Sequence, residues 1–100
     1  MTIATSATVG VALFGLGRAG SFHIQSLGLA AEEAQLRWVF DVDAEKRSAF
    51  ARRAGCRAAA DPREALADPA VDAVIVATPT QTHFGHVFPA LEAGKAVLTE

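Results

Sequence analysis

Residues 9–20 read V-G-V-A-L-F-G-L-G-R-A-G, an apolar run that leads directly into a pattern of three glycines. The run is short and rich in residues that favour extended backbone, which predicts a buried strand over Val9–Phe14. Gly15, Gly17 and Gly20 then have the G-x-G-x-x-G spacing that is typical of a tight turn from a strand into a helix. The stretch therefore predicts a strand, a turn and a helix whose N-terminus can hold a phosphate.

Signals for strands and helices alternate along the rest of the chain. Apolar periodicity predicts strands over 36–40, 73–77 and 96–99 and a helix over 18–31. Capping residues and glycines predict a helix over 44–54 that ends at Gly55 and a short helix that begins at Asp61-Pro62-Arg63-Glu64. A last helix, which ends at Gly94, is predicted to carry one apolar face of Phe84, Val87, Phe88 and Leu91. Strands that alternate with helices pair in parallel. We therefore predict an α/β fold with a doubly wound parallel sheet of the Rossmann type, incomplete at its C-terminal edge.

Pro89 falls within the last predicted helix and disturbs it. Proline removes one backbone hydrogen bond and clashes with the carbonyl four residues before it, which here belongs to Gly85. Two interpretations stay open: the helix kinks at Pro89, or its regular part begins near Phe88.

Length and composition are typical of one small α/β domain. The chain has 100 residues, of which 51% are hydrophobic, and a formal net charge of -2. We assign residues 9–100 to a single domain and expect residues 1–8 to be a flexible lead-in. The near-neutral charge offers no basic face for nucleic acid, and no apolar run is long enough to span a membrane. Cys56 is the only cysteine, which excludes an intrachain disulfide and favours a cytoplasmic setting.

The glycine pattern predicts a site for a pyrophosphate. Gly15 permits the tight turn, Gly17 lets the backbone approach the phosphates, and Gly20 lets the helix pack closely on the strand. The amides of Leu16–Ala19 are expected to point at the phosphate, and Arg18 to add a screened charge from the rim. The alternative is a glycine-rich turn that binds no ligand.

Asp41 ends the second predicted strand, 21 positions after Gly20. In dinucleotide-binding folds a carboxylate about 20 residues beyond the glycines accepts hydrogen bonds from the adenosine ribose. It also repels the 2'-phosphate of NADP, by roughly 4 kcal/mol for two unit charges ~4 Å apart near a surface. NAD is therefore the predicted cofactor, and NADP is disfavoured unless Lys46 or Arg47 reaches in to compensate. The alternative is a solvated aspartate at a strand end.

A second polar cluster, Thr78-Pro79-Thr80-Gln81-Thr82-His83, follows the strand predicted over 73–77. In a doubly wound sheet that strand lies beside the first one, and ligands bind in the crevice at their carboxyl ends. The cluster is therefore expected to face the glycine turn across one cleft. For Thr80 and Thr82, helix capping and ligand contact are both open.

The histidines at the end of this cluster predict no metal site. His83 and His86 are three residues apart, but no third ligand has a suitable spacing. We expect His83 at the edge of the cleft, in reach of the cofactor or substrate. His86 is expected on the surface or in packing.

A family resemblance rests on three segments: G-L-G-R-A-G-S-F-H at 15–23, V-D-A-V-I-V-A-T-P-T-Q-T-H at 71–83 and A-L-E-A-G-K-A-V-L-T-E at 90–100. Together they resemble the N-terminal domain of the glucose-fructose oxidoreductase/inositol dehydrogenase/rhizopine catabolism protein family, Gfo/Idh/MocA. The resemblance implies a Rossmann domain that binds NAD or NADP, followed by an α/β substrate domain. Members typically transfer a hydride to or from a sugar or cyclitol hydroxyl, and the T-P-T-x-T-H pattern is similar to inositol dehydrogenase-like members.

The resemblance also implies roles for individual residues. Gly15–Gly20 and Asp41 would hold the pyrophosphate and the adenosine. Thr78–Thr80 and His83 would lie along the nicotinamide ribose. Glu100 begins the family's Glu-Lys-Pro pattern and is counted with the cofactor-binding residues.

The catalytic lysine of that pattern would follow Glu100, and the substrate domain would lie beyond it. No residue of this chain is therefore assigned as a general acid or base. We expect the 100 residues alone to be inactive, and the longer protein to be an NAD-dependent dehydrogenase of a sugar or polyol and a homo-oligomer. The alternative is a non-catalytic NAD-binding module or sensor subunit.

Overall fold

The computed structural model describes residues 9–17 and 34–99, and its central feature is one parallel sheet. The strands are β1 (Val9–Phe14), β2 (Ala34–Phe40), β3 (Arg57–Ala58), β4 (Ala73–Val76) and β5 (Ala96–Thr99). They lie in the order β3-β2-β1-β4-β5, so the chain builds outward from β1 in one direction and from β4 in the other. This order confirms the doubly wound α/β fold. The predictions for residues 1–8 and for a helix over 18–31 fall outside the described residues.

Helices link the strands in the described part: α1 (Ala44–Ala54), α2 (Pro62–Leu66) and α3 (His83–Glu92), the last preceded by a 3-10 turn over Thr80–Thr82. The carboxylate of Asp43 accepts the amide of Lys46 at the start of α1, and Gly55 ends this helix with φ 71°. Asp61 and Glu64 form a reciprocal capping box at the start of α2, as their spacing predicts. None of these helices is long and apolar enough to cross a membrane.

The two faces of the sheet carry separate hydrophobic clusters, because side chains alternate along β1. Val11 and Leu13 pack on the face that α1 covers, where they join Ala51. Ala12 and Phe14 pack on the opposite face with residues of α2 and α3. Burial on both faces explains why β1 is apolar at every position rather than at alternate ones.

The buried face of α3 differs from the prediction. Val87 and Ala90 pack against the sheet, whereas Phe84, Phe88 and Leu91 are 76%, 49% and 56% exposed. The apolar face that was predicted for this helix is therefore not the face that the sheet buries. The physical reason is that the small side chain of Ala90 lets the helix backbone approach the sheet, which directs the larger side chains to the flank.

Pro89 lies inside α3, which runs from His83 to Glu92. The interpretation that the regular helix begins near Phe88 is therefore wrong, and a kink at Pro89 stays a prediction. The helix closes with the amide of Ala93 donating to the carbonyl of Pro89, at 3.0 Å. Gly94 follows with φ 79°, which confirms that a glycine ends this helix.

The short strand β3 was not predicted. Its two exposed residues, Arg57 and Ala58, pair with Trp38 and Val39 of β2. The guanidinium of Arg57 lies 4.4 Å from the centre of the Trp38 ring. Two exposed residues have no periodicity to detect, so only the pairing with β2 defines this strand.

Candidate functional site

A cavity of about 430 Å³ lies at the carboxyl ends of β1, β2 and β4. It is lined by Gly15, Leu16, Gly17, Phe40, Asp41, Val42, Lys46, Ala77, Thr78, Pro79, Thr82 and His86. Because β1 and β4 are neighbours in the sheet, the cavity lies where the strand order reverses, which is where open α/β sheets bind ligands. Its volume falls in the range of about 300–1,000 Å³ that ligand sites occupy.

Gly15 joins the three strand ends. Its φ is 99°, and its amide donates to the carbonyl of Phe40 at 2.8 Å. A Cβ atom at this position would lie 2.6–2.8 Å from backbone atoms of Ala77 and Thr78. The predicted tight turn is therefore confirmed, and the missing side chain also lets the end of β4 approach the turn.

Asp41 holds the glycine turn against the end of β2. Its Oδ2 accepts the amide of Leu16 and its Oδ1 accepts the amide of Asp43, each at 2.9 Å. A carboxylate offers about four acceptor positions. Two of these positions are used by no residue in the described part of the chain, which is the number that the paired hydroxyls of a ribose require.

The hydrogen bond to Asp41 corrects one expectation about the glycine turn. The amide of Leu16 was predicted to point at a phosphate, but it donates to the carboxylate of Asp41 instead. The Leu16 side chain is 2% exposed and belongs to the core. The reason is that a charged acceptor on the adjacent strand satisfies this amide, which leaves the amides further along the turn as candidates for phosphate.

The two basic residues after Asp41 have different positions. The Nη1 of Arg47 donates to the backbone carbonyl of Asp41 at 3.1 Å. Lys46 lines the cavity that Asp41 also lines. Of the two residues that could compensate a 2'-phosphate, Lys46 is therefore the one at the cavity.

The threonines after β4 hold their own loop together. The hydroxyl of Thr82 lies 2.7 Å from the carbonyl of Pro79 and 2.8 Å from the hydroxyl of Thr78. A carbonyl oxygen only accepts, so the single proton of Thr82 goes to Pro79 and the Thr78 hydroxyl donates to Thr82. Thr82 makes no side-chain cap to α3, so the capping interpretation is wrong for it.

Thr80 and His83 do not line the cavity. Thr80 is exposed in the 3-10 turn. His83 lies with its Nε2 2.8 Å from the carbonyl oxygen of Thr78, which requires the proton on Nε2. Contacts of these two residues with a cofactor therefore stay predictions.

His86 is the residue of this site that the sequence argument missed. Its ring lies 5.5 Å from that of Phe14 and 6.1 Å from that of Phe40, between centroids. Burial, and secondarily the charge of His83, lower the pKa of His86, which favours a neutral ring at pH 7. The available signal was its spacing: His86 is four residues after Thr82, so both point to the same side of the chain as it enters α3.

Arg18, Ala19, Gly20 and Glu100 were also predicted to contact the cofactor, and they lie outside the described residues. Within 9–17 and 34–99, no three His, Cys, Asp or Glu side chains are grouped so as to hold a metal ion. Burial raises the pKa of the Cys56 thiol to about 11, so it stays protonated near neutrality.

Lowering the pH from 7.5 to 5.5 is expected to destabilise the fold through His86. Because its pKa in the folded chain is lowered from 6.5, the unfolded chain takes up the proton first, and the free energy of unfolding decreases as the pH falls below about 6.5. His86→Phe keeps the aromatic packing and should remove this part of the pH dependence. Urea unfolding midpoints of the wild type and the variant at pH 7.5, 6.5 and 5.5 measure this pH dependence.

The comparison isolates His86 from the charges around it. His83 lies on the same helix, Asp41 and Lys46 line the cavity, and Asp61 and Arg63 line a neighbouring cavity that His86 also borders. All of these groups are present in the wild type and in His86→Phe, so they contribute equally to the pH dependence of the unfolding free energy in both proteins. Equal slopes for wild type and variant would contradict the assignment.

The fold and the cavity together define a dinucleotide-binding domain of the Rossmann type. The sequence profile of the oxidoreductase family GFO_IDH_MocA, NAD-binding Rossmann fold, matches residues 9–100. The chain belongs to this family, and it is an NAD-binding Rossmann domain. The resemblance inferred from the three sequence segments is thereby confirmed.

Named relatives are similar over most of the chain. Inositol 2-dehydrogenase 1 of Mycolicibacterium vanbaalenii is 41% identical over 93 residues, which are 92% of this chain and 27% of the relative. The scyllo-inositol 2-dehydrogenase (NAD(+)) of Bacillus subtilis is 39% identical over 89% of this chain and 26% of its own length. GenD2 from gentamicin A biosynthesis, solved in complex with NAD, superposes with a TM-score of 0.88 at 38% identity, over 95% of this chain and 27% of GenD2. The chain thus spans about a quarter of the length of these relatives.

Proposed function

We propose that this chain is the cofactor-binding part of an NAD-dependent dehydrogenase that acts on a hydroxyl of a cyclitol or sugar. The observation that carries the proposal is the carboxylate of Asp41, which is fixed beside the glycine turn by two amides and keeps two acceptor positions that no residue in 9–17 or 34–99 uses. The names of the inositol dehydrogenase relatives support the cyclitol class.

The proposed cofactor contacts divide into two groups. On the pyrophosphate and adenosine side we propose Gly15, Leu16, Gly17, Arg18, Ala19, Gly20 and Asp41; on the nicotinamide side, Thr78, Pro79, Thr80, His83 and Glu100. Leu16 contributes through the position of its backbone, because its amide is already bonded to Asp41. The amides that follow it remain for the phosphates, where the helix dipole predicted over 18–31 would favour negative charge.

Hydride transfer needs two further components. Bound NAD supplies the hydride acceptor, while the hydroxyl proton needs a separate base. The titratable side chains that line the cavity within the described residues are Asp41, Lys46 and His86, and we place them on the adenosine side. We therefore propose that the acid-base group and the substrate domain follow Glu100 in a longer protein, which we expect to be cytoplasmic and homo-oligomeric.

Cofactor binding is tested by titrating the chain with NADH and following nicotinamide fluorescence. We expect a saturable change, and a weaker one with NADPH. Gly17→Ala is the matched variant, because a Cβ there meets no atom of residues 9–17 or 34–99 within 4 Å but would stand in the path of a pyrophosphate. A folded chain without a saturable change would contradict the proposal.

The catalytic part is tested by the reading frame beyond codon 100. We expect Lys-Pro followed by roughly 200 or more residues, the scale of a further α/β domain. We also expect the longer protein to oxidise myo-inositol or scyllo-inositol with NAD. A stop codon directly after Glu100 would contradict it. The second candidate, a non-catalytic NAD-binding module, is favoured because His83, the titratable side chain proposed for the nicotinamide side within the described residues, already uses its Nε2 proton in a hydrogen bond to the carbonyl of Thr78.

A further inference from the structure

A second cavity, of about 280 Å³, lies between α2 and α3. Its lining is largely apolar and includes Phe14, Pro62, Leu66, Gly85 and Pro89. Among the described residues it shares one lining residue, His86, with the cavity proposed for the dinucleotide. An apolar cavity of about 150 Å³ is enough to hold benzene. The cavity between α2 and α3 therefore has room for a compact molecule of one or two rings.

Two residues that are unfavourable inside a helix line this cavity from α3. Gly85 and Pro89 are four residues apart in the helix, so they lie on the same side of it. Glycine and proline are the two residues that destabilise a helix interior most, yet both occur here and both face the cavity. Departures from local preference are expected where a position serves function rather than folding.

Pro89 also changes the backbone chemistry of the cavity wall. Proline has no N–H, so the helical hydrogen bond from residue 89 to the carbonyl of Gly85 cannot form. No side chain in 9–17 or 34–99 donates to that carbonyl. Because a helical carbonyl points toward the residue four positions later, it lies between the two residues that line the cavity. The wall therefore presents one hydrogen-bond acceptor in largely apolar surroundings.

The charges around this cavity are balanced. The Nη2 of Arg63 lies 2.8 Å from the Oδ2 of Asp61, and these two side chains are 85% and 46% exposed. Burial lowers the pKa of His86, so its ring is neutral near pH 7. A neutral ligand therefore fits this lining better than an ion does, because burying a charge without a partner is costly.

We propose that the cavity between α2 and α3 is a second small-molecule site, which binds a neutral ring compound whose N–H or O–H group donates to the carbonyl of Gly85. The absence of a side chain at Gly85 leaves the space that the ring occupies, and Pro89 leaves the acceptor that orients it. The site is separate from the dinucleotide cavity, so the inference goes beyond the proposed function and does not rest on it.

Indole is the probe, and benzofuran is its matched counterpart, because an ether oxygen replaces the N–H in a ring system of nearly the same shape. Each is titrated into the isotope-labelled wild-type chain, and the NMR shifts of the backbone amides measure the dissociation constant and locate the site. We expect indole to shift the amides of Arg63, Leu66 and His86 saturably, with a dissociation constant of about 1 mM or below. We expect benzofuran to bind about tenfold more weakly, since it cannot donate to the carbonyl.

Gly85→Leu is designed to fill the cavity without disturbing the fold. A Cβ at Gly85 meets no atom of the described residues within 4 Å, and leucine favours a helix more than glycine does. We expect this variant to bind indole and benzofuran at least about tenfold more weakly, because the added side chain occupies the space of the ring. Glu92→Leu is the matched control, since it adds the same side chain at an exposed position of α3 outside the cavity.

Pro89→Ala tests the acceptor and leaves the cavity open. Alanine supplies the missing amide to the carbonyl of Gly85, which then has a partner within the helix. We expect the preference for indole over benzofuran to fall from about tenfold to within about twofold. This preference is a ratio within one protein, so it is insensitive to the space that the proline ring vacates. Circular dichroism and urea midpoints identify any variant that fails to fold, and Pro89→Ala decides the question if Gly85→Leu is one of them.

Four outcomes would overturn the inference. They are no saturable shift with indole in the wild type, wild-type affinity for indole in folded Gly85→Leu, an unchanged preference for indole in folded Pro89→Ala, and competitive displacement of indole by AMP. The last would mean that the cavity belongs to the dinucleotide site. A wild-type chain that binds indole but not NADH would contradict the proposed function and support this inference.

Discussion

Gly15→Ala is expected to lower the free energy of unfolding by about 3 kcal/mol or more. Two costs combine at this position. A non-glycine residue at positive φ costs roughly 1–2 kcal/mol, and the structure places Gly15 at φ 99°. The added Cβ would also lie 2.6–2.8 Å from backbone atoms of Ala77 and Thr78, and forcing apart a packed site costs roughly 1–3 kcal/mol.

Two other glycines provide controls that separate these costs. Gly55 has φ 71°, and a Cβ there meets no atom within 4 Å in the part of the chain that the structure describes, so Gly55→Ala should show the conformational cost alone, about 1 kcal/mol. Gly17 has no left-handed φ and no close neighbour among the described residues, so Gly17→Ala should leave stability within about 0.5 kcal/mol. Urea unfolding of the three variants measures the order of their stabilities, in which we expect Gly15→Ala to be the least stable and Gly17→Ala the most stable. If Gly15→Ala were no less stable than Gly55→Ala, the close approach of β4 to the turn would be refuted.

Asp41→Asn is expected to weaken NADH binding about tenfold and to reduce the preference for NADH over NADPH about a hundredfold. The side-chain oxygen of asparagine still accepts, but its NH2 group cannot, so either the turn or the ribose loses an acceptor. The 2'-phosphate carries about -1.5 to -2 charge. Its repulsion by a carboxylate ~4 Å away is roughly 4 kcal/mol before screening by salt, which reduces it further.

The control for this experiment is Asp43→Asn. Asp43 is an exposed carboxylate two residues further on, and asparagine can still accept the amide of Lys46 at the start of α1. We expect the cofactor preference of this variant to stay within about threefold of wild type, because exposed charges are screened. Fluorescence titrations with NADH and NADPH measure the dissociation constants of both cofactors for the wild type and the two variants. A preference that falls equally in both variants would mean that general surface charge, and not Asp41, rejects the 2'-phosphate.

Much of the fold could be predicted because its signals are local. The capping box of Asp61 and Glu64 and the glycine end at Gly55 depend on residues within one helical turn. The continuous apolar runs of β1 and β4 indicate burial on both faces, which only a parallel sheet covered by helices provides. The two-residue strand β3 was missed because it has no pattern of its own and depends on β2.

The site was predicted less completely, since its contacts join distant parts of the chain. Asp41 could be predicted at the site because its spacing from the glycines is typical of dinucleotide-binding folds, and it lines the cavity. Its bond to the amide of Leu16 spans 25 residues, and no local pattern indicates it. The same holds for His86, which comes to lie against Phe14 from 72 positions away.

The sequence by itself determined where the backbone turns and which strand ends carry polar residues, because φ angles, caps and burial periodicity depend on neighbours a few residues away. Only the tertiary structure decided how those strand ends meet. The closeness of β1, β2 and β4 directs the amide of Leu16 to Asp41 instead of to a phosphate. The small side chain of Ala90 lets α3 approach the sheet with His86 at the cavity and Phe84 at the surface. These outcomes depend on packing across the sheet, where the shape and size of remote side chains decide which groups come into contact.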